Sequence, residues 1–264
     1  MVFFGIDIGS TATKGTLVNH NGDIVYTTVE AIGTGTKGSA RVTERVQEFA
    51  AQQGVSIQMT MATGYGRFSY VEGGLQKSEI SCHAKGMFYL LPNVRTIIDI
   101  GGQDVKAIRL NNKGQIVNFV MNDKCAAGTG RFIETMAKVI DVPLAQFGDL
   151  AVQAVSVASI SSTCTVFAES EVVSKMSTGI SIPNLIAGIH ASVARRVVGL
   201  VRRNGIEPDI ALSGGVSLNM GIVTALEEEL HAPLFVSPFS QVAGSLGAAL
   251  YAKELFEKGN GKTL

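Results

Sequence analysis

Residues 7–25, DIGSTATKGTLVNHNGDIV, have a second version in the same chain at residues 99–117, DIGGQDVKAIRLNNKGQIV. The stretches align without a gap at an offset of 92, with eight identities in nineteen positions: Asp7/Asp99, Ile8/Ile100, Gly9/Gly101, Lys14/Lys106, Asn19/Asn111, Gly22/Gly114, Ile24/Ile116 and Val25/Val117. Each copy follows an apolar run, 2–6 or 96–98. Each then reads as an Asp-Ile-Gly turn, a second strand, a turn around Asn-x-x-Gly and a third strand. A repeat of this length predicts two related lobes, each opening with an antiparallel meander. Helical periodicity follows near 39–53, 76–91, 126–140, 164–177, 184–204, 217–230 and 243–258. The expected class is therefore α/β, with mixed sheets flanked by helices built twice. The lobes are expected over 1–92 and 93–264, with helix 243–258 a candidate to pack back on the first.

Bulk properties exclude several function classes. A chain of 264 residues can bury a sizeable core. Its 22 basic and 22 acidic residues balance, so no overall field favours nucleic acid or an anionic membrane. The start, Met1-Val2-Phe3-Phe4-Gly5-Ile6-Asp7, lacks the basic flank and cleavage site of a signal peptide, and the uncharged run 150–168 carries too many hydroxyls for a membrane span. Three scattered cysteines make no disulfide framework. The expectation is a cytoplasmic protein.

In each Asp-Ile-Gly turn the glycine lets backbone amides approach an anion, and the hydroxyls of 10–13 and Lys14 can donate to phosphate oxygens. Asp7 and Asp99 cannot usefully touch bare phosphate, but they can hold Mg2+ through water. One such turn alone is more simply a turn; two at matching places point to a nucleotide. No Gly-x-x-x-x-Gly-Lys-Ser/Thr occurs, which argues against a P-loop enzyme. Gly33-Thr34-Gly35-Thr36-Lys37-Gly38 matches the dinucleotide fingerprint, yet it follows the third strand of a meander and no acid stands near Gln58. It reads as a loop leading into a helix. Ser213-Gly214-Gly215 follows an apolar strand (210–212) and precedes a helix, where bare backbone could face a nucleotide.

Cys125, in Lys124-Cys125-Ala126-Ala127-Gly128-Thr129-Gly130, and Cys164, in Ser161-Ser162-Thr163-Cys164-Thr165, each read as opening a helix. Helix N-termini favour thiolates and anionic groups. A four-iron cluster takes four thiolates, so one held by this pair needs two cysteines from a second copy. From the residues alone, core packing or a redox thiol stays open beside the cluster.

The order of two Asp-Gly turns and a later Gly-Gly turn resembles the nucleotide-binding signature of the superfamily of actin, sugar kinases and the 70-kDa heat-shock ATPases. Within it, the chain resembles the activators of 2-hydroxyacyl-CoA dehydratases, grouped with the ATPase subunits of benzoyl-CoA reductase. The resemblance covers nearly the whole chain. It rests on residues 5–12, Ala62-Thr63-Gly64-Tyr65-Gly66-Arg67, 99–104, Met121-Asn122-Asp123-Lys124-Cys125 through Phe132, 161–171 and 187–190.

It implies two ribonuclease-H-like lobes, each a mixed five-stranded sheet flanked by helices. It also implies a homodimer with one [4Fe-4S] cluster ligated by Cys125 and Cys164 of both chains, and ATP with Mg2+ between the lobes. The nucleotide would touch Ser10, Thr11, Ala12, Thr13, Lys14, Gly101, Gly102, Gln103, Asp104, Gly214, Gly215 and Gln241. The implied activity is ATP-driven transfer of one low-potential electron, received from ferredoxin or flavodoxin, to a dehydratase or reductase partner. Gln103 is suited to orient attacking water. The rival readings are a sugar or amino-sugar kinase of the same superfamily and a nucleotide-dependent switch.

Other residues read as structural. Cys82 and His83, neighbours on a helix, diverge by about 100° and suit packing rather than a metal. His190 reads as structural and 62–67 as a surface turn. Arg67 is a candidate partner contact, and Arg195-Arg196 with Arg202-Arg203 read as a solvated helix face.

Overall fold

The structure, a computed structural model, describes residues 1–34, 37–70, 74–122, 124–161 and 164–260. The chain divides into two compact units, one comprising Met1–Val94, Leu110–Ile116 and Ser237–Leu264, the other Arg95–Arg109 and Val117–Val236.

In the first unit the meander is β1 (Val2–Ile8), β2 (Thr13–Asn19) and β3 (Ile24–Glu30), followed by α1 (Gly38–Gln52), β4 (Ile57–Thr63), β5 (Leu75–Gln76) and α2 (Glu79–Leu90). The second meander is β6 (Thr96–Ile100), β7 (Val105–Leu110) and β8 (Ile116–Asn122). After it come α3 (Gly130–Val139), α4 (Phe147–Val152), α5 (Thr165–Ser177), α6 (Ile182–Asn204), β9 (Ile210–Ser213), α7 (Met220–Leu230), β10 (Leu234–Phe235) and α8 (Ala243–Asn260). The sheets run β3-β2-β1-β4-β5 and, in corresponding order, β8-β7-β6-β9-β10. In the first sheet β1/β2 and β2/β3 are antiparallel, in the second β6/β7 is antiparallel, and in each the strand added beside the first member of the meander is parallel.

The repeated residues explain the repeated shape. Asp7 sits opposite Lys14 across β1/β2, and Asp99 opposite Lys106 across β6/β7. The turn between them closes by Gly9 N to Ala12 O at 3.1 Å in one copy and by Gly101 N to Asp104 O at 2.9 Å in the other. The Asn-x-x-Gly turns match as well. Asn19 Oδ1 accepts from the amides of Asn21 and Asp23, Asn111 Oδ1 from those of Lys113 and Gln115, and Gly22 and Gly114 take φ of 96° and 72°. An asparagine side chain bonding amides two and four residues on stands in for a backbone turn, and only glycine takes the left-handed position cheaply.

The first sheet buries both faces. Val2, Phe4, Ile6 and Ile8 alternate onto Val42 and Val46 of α1, while Phe3, Val18 and Met61 meet α2 and α8 through Cys82, Leu246 and Ala249. Glycines let the backbones meet on the second face. A Cβ at Gly5 would lie 1.9 Å from Ser245 O, one at Gly86 would lie 2.0 Å from Ala243 O, and one at Gly247 would lie 1.8 Å from Cys82 O. Helix α8 thus belongs to the first unit although it is last in sequence.

Several expectations need correction. Ala62 and Thr63 end the interior strand β4, between β1 and β5, and are fully buried, so 62–64 is core rather than a surface turn. Helix α2 starts at Glu79, where Ser78 Oγ accepts from Ser81 N at 3.2 Å and thereby satisfies a first-turn amide. The periodicity at 126–140 yields a helix only from Gly130, because Gly128 takes φ 91° and Thr129 is the N-cap. Residues 35–36 and 162–163, which belong to motifs quoted above, and Asp123 lie outside the described residues. No helix among the described residues is long and apolar enough to cross a membrane.

His190 on α6 is a core residue. It is 1% exposed, packs edge-on to Phe147 at 5.9 Å, and its Nε2 lies 3.3 Å from Asn219 Nδ2. Burial pushes its pKa down to about 4. Unfolding exposes an imidazole that protonates near 6.5, so the unfolded state binds the extra proton between those values. This stability contribution is complete above about pH 6.5 and falls away towards pH 4, by up to about 3 kcal/mol. Denaturant titrations at pH 7 and pH 5 should give a steeper acid loss for the wild type than for His190→Gln; equal slopes would refute the assignment.

Candidate functional site

Two loops with the same internal chemistry stand at equivalent ends of the two sheets. In the first unit, Asp7 is 4% exposed and its Oδ2 lies 3.4 Å from Lys14 Nζ. Gly64 at φ 88° and Gly244 press on the same carboxylate: a Cβ at Gly64 would meet Asp7 Oδ1 at 2.4 Å, and one at Gly244 would meet Oδ2 at 3.0 Å. In the second, Asp99 is 2% exposed; its Oδ1 accepts from Ser213 Oγ at 2.8 Å and its Oδ2 from Lys106 Nζ at 3.2 Å. Lys106 also reaches Asp104 Oδ2 at 2.7 Å. Gly214 at φ 87° is the counterpart of Gly64, since a Cβ there would lie 2.3 Å from Ile100 O and 3.0 Å from Asp99 Oδ1.

The equivalence extends beyond the repeat visible in sequence. Thr63-Gly64 and Ser213-Gly214 each follow the parallel strand and lie beside the aspartate, Thr63 in register with Asp7 and Ser213 with Asp99. A longer insertion separates the second pair from its meander, which hides the correspondence from an alignment at constant offset.

Ser10, Thr11 and Ala12 form the half-buried tip of the first loop, while Thr13 is buried and donates its hydroxyl to Ile32 O at 2.8 Å. The loop is braced from outside. Thr34 N donates to Gly9 O at 2.9 Å, Gly66 N to Ile8 O at 2.8 Å, and Gly33 is so close that a Cβ would lie 2.0 Å from Ser10 O. The described part of the Gly-x-Gly-x-x-Gly stretch is therefore a buttress of the Asp-Ile-Gly turn. In the second loop Gly101, Gly102 and Asp104 are half-buried and Gln103 is exposed at the tip. The amides of Gly130 and Arg131, at the start of α3, donate to Gly101 O at 2.9 Å and Gly102 O at 2.8 Å. Gly214 is buried and Gly215 is exposed at the start of a single 3-10 turn, both in the second unit; Gln241 belongs to the first, in the turn before α8.

The three cysteines differ. Cys82 is fully buried and burial pushes its thiol up to about 12, so it is inert packing. Cys164 is exposed and is the N-cap residue of α5, as expected. Cys125 is half-buried and lies five residues before α3, in a loop rather than at a helix start. Asn122 Nδ2 donates to Cys125 O at 3.3 Å, and Arg196 Nη2 donates to its Sγ at 3.4 Å. Around Cys164, Val166 and Phe167 are 67% and 69% exposed. Glu171 accepts from Ser161 N and Oγ at 3.1 Å, tying the preceding loop to α5.

Three of the four arginines read as a solvated face have partners. Arg195 Nη2 donates to Ile160 O at 3.0 Å, Arg202 Nη2 to Glu229 O at 3.1 Å, and Arg196 reaches Cys125. Arg67 closes its own turn on Gly64 O at 3.0 Å and lies over the exposed Phe68 ring at 4.3 Å. No group of three or more metal-ligating side chains stands together among the described residues.

A five-stranded mixed sheet built twice, with a lysine-compensated aspartate at the head of each, defines a protein of the actin-like ATPase fold. Residues 4–252 match the BadF/BadG/BcrA/BcrD ATPase family, and the chain belongs to that family. It is 50% identical over 258 residues to the activator of lactoyl-CoA dehydratase of Anaerotignum propionicum, covering 98% of this chain and 100% of the relative. Among solved structures, the activator of the 2-hydroxyisocaproyl-CoA dehydratase from Clostridium difficile with bound ADPNP superposes with a TM-score of 0.95 at 46% identity, over 99% of this chain and 98% of that one. Component A of the Acidaminococcus fermentans (R)-2-hydroxyglutaryl-CoA dehydratase gives a TM-score of 0.91 at 47% identity, over 97% and 98%.

Proposed function

We propose that this chain is the ATP-driven activator of a 2-hydroxyacyl-CoA dehydratase or a related acyl-CoA reductase, delivering single electrons from an iron-sulfur cluster shared by a homodimer. The carrying observation is the unequal set of cysteines. Cys125 and Cys164 are accessible and Cys82 is sealed, so one chain offers two thiolates and a second copy completes the four that a [4Fe-4S] cluster takes. These residues fit the group. Bound there, it supplies a single low-potential electron.

Ser10, Thr11, Ala12 and Lys14 of one loop and Gly101, Gly102, Gln103 and Asp104 of the other present amides, hydroxyls and an ammonium suited to the phosphates of ATP. Thr13 supports the first loop from beneath, and Gly214, Gly215 and Gln241 serve the remainder of the nucleotide. Asp7 and Asp99, each compensated by a lysine, hold Mg2+ through water rather than directly, as a reluctantly dehydrated cation prefers. Gln103, exposed at the loop tip, orients the attacking water. The bonds from Gly130 and Arg131 to Gly101 and Gly102 join the second loop to the segment carrying Cys125, so a change at the phosphates has a short hydrogen-bonded route to a cluster ligand. Ferredoxin or flavodoxin, one-electron carriers of the anaerobic cytoplasm, suit the donor role.

Anaerobic purification tests the reading. A brown dimer with about four irons is expected. A colourless monomer whose ATP turnover depends on added sugar would sink it.

A further inference from the structure

Arg196 of α6 touches the loop that carries Cys125 at two points. Its Nη2 donates to Cys125 Sγ at 3.4 Å, within reach of a hydrogen bond to sulfur. Its aliphatic stem crosses Gly128 of the same loop: a Cβ on Gly128 would meet Arg196 Cδ at 3.3 Å and Cγ at 3.4 Å. Gly128 is in the left-handed region at φ 91°, so the loop turns beneath the arginine stem at close contact in a conformation that favours glycine. At the other end, Asn122 Nδ2 holds Cys125 O. Asn122, Gly128, Arg196 and Arg203 also line a cavity of about 260 Å³, which leaves the guanidinium approachable rather than sealed in the core.

We propose that Arg196 is a positioning residue that tunes the cluster through Cys125, holding the ligating sulfur in place and stabilising the reduced state. The inference rests on the cluster reading given above. When a one-electron donor is oxidised and the electron enters the bound cluster, the cluster gains one negative charge, carried partly on its ligating sulfurs. A cation hydrogen-bonded to a sulfur favours the more negative form and raises the reduction potential. Each chain supplies one such contact. A tenfold preference of the arginine for the reduced state corresponds to 59 mV for a one-electron couple.

The test compares wild type, Arg196→Met, Arg196→Gln and Arg196→Lys in the full-length dimer, loaded anaerobically with iron and sulfide. Iron per dimer and the midpoint potential are measured by an EPR-monitored titration. Methionine keeps an aliphatic stem over Gly128 and deletes the charge together with the hydrogen bond to Cys125 Sγ. A midpoint shifted down by a tenfold equivalent or more in Arg196→Met, and restored at least halfway in Arg196→Lys, is expected. Full iron content with an unchanged midpoint in Arg196→Met or Arg196→Gln would overturn the proposal. Should both neutral variants fail to load, Arg196→Lys decides: loading restored by the lysine charge supports the role, and failure there too assigns Arg196 to loop packing and overturns it. A wild type that takes up no iron would instead refute the cluster reading itself.

Discussion

Replacing Cys125 and Cys164 together by alanine is expected to remove all cluster iron and abolish electron delivery to a dehydratase partner, while ATP hydrolysis stays within about twofold of wild type. Cys164 is exposed at the N-cap of α5 with no side-chain hydrogen bond to the helix, so its thiol contributes little to folding. Cys125 only edges the second unit's core, and losing its sulfur costs about 1 kcal/mol. Neither belongs to an Asp-Ile-Gly loop. Each single alanine variant leaves two of four thiolates in a dimer, too few for a [4Fe-4S] cluster. Iron analysis and a coupled electron-transfer assay read the outcome, and a double variant that retains about four irons per dimer would contradict it.

The second large effect is on stability. Gly247→Ala is expected to cost about 3 kcal/mol and to lower the melting midpoint by roughly 6 to 12 °C. The added methyl would lie 1.8 Å from Cys82 O, a backbone atom with no rotamer to escape into, so α8 must lift from α2. Gly86, whose Cβ would meet Ala243 O, makes the reciprocal contact one turn away. Once the helices have parted, the second methyl finds space already made, so Gly86→Ala in the Gly247→Ala background should cost less than in wild type. Calorimetry of the single and double variants checks this, and a Gly247→Ala melting point within about 2 °C of wild type would refute the packing account.

The duplicated meanders were legible because their signals are local: an aspartate and a glycine at a turn, a lysine seven residues on, an asparagine that caps its own turn. The Asp7–Lys14 and Asp99–Lys106 pairs went unread, Lys14 being assigned to phosphate alone. A lysine at the same place in both repeats, one strand over from the aspartate, was the available signal. What escaped depended on distant chain. Thr63-Gly64 looked like a surface turn because what it packs against, Asp7 and Ile8 of β1, is distant in sequence. The helix at 126–140 starts late because Gly128 turns left-handed, which apolar periodicity does not encode. Arg196 looked solvated because its partner, the Cys125 sulfur, lies 71 residues away in sequence and is brought near by the fold. The glycines at 33 and 38 matched a known fingerprint, yet the contact of Gly33 with Ser10 makes it a brace.

The central claim is that nucleotide turnover drives the electron. The direct measurement is anaerobic: the iron-loaded dimer, reduced by ferredoxin or flavodoxin, is mixed with an oxidised 2-hydroxyacyl-CoA dehydratase, and EPR follows the single electron with ATP, with a non-hydrolysable analogue and with no nucleotide. The account predicts transfer with ATP and at least tenfold slower transfer in the other two. Equal rates in all three would contradict it.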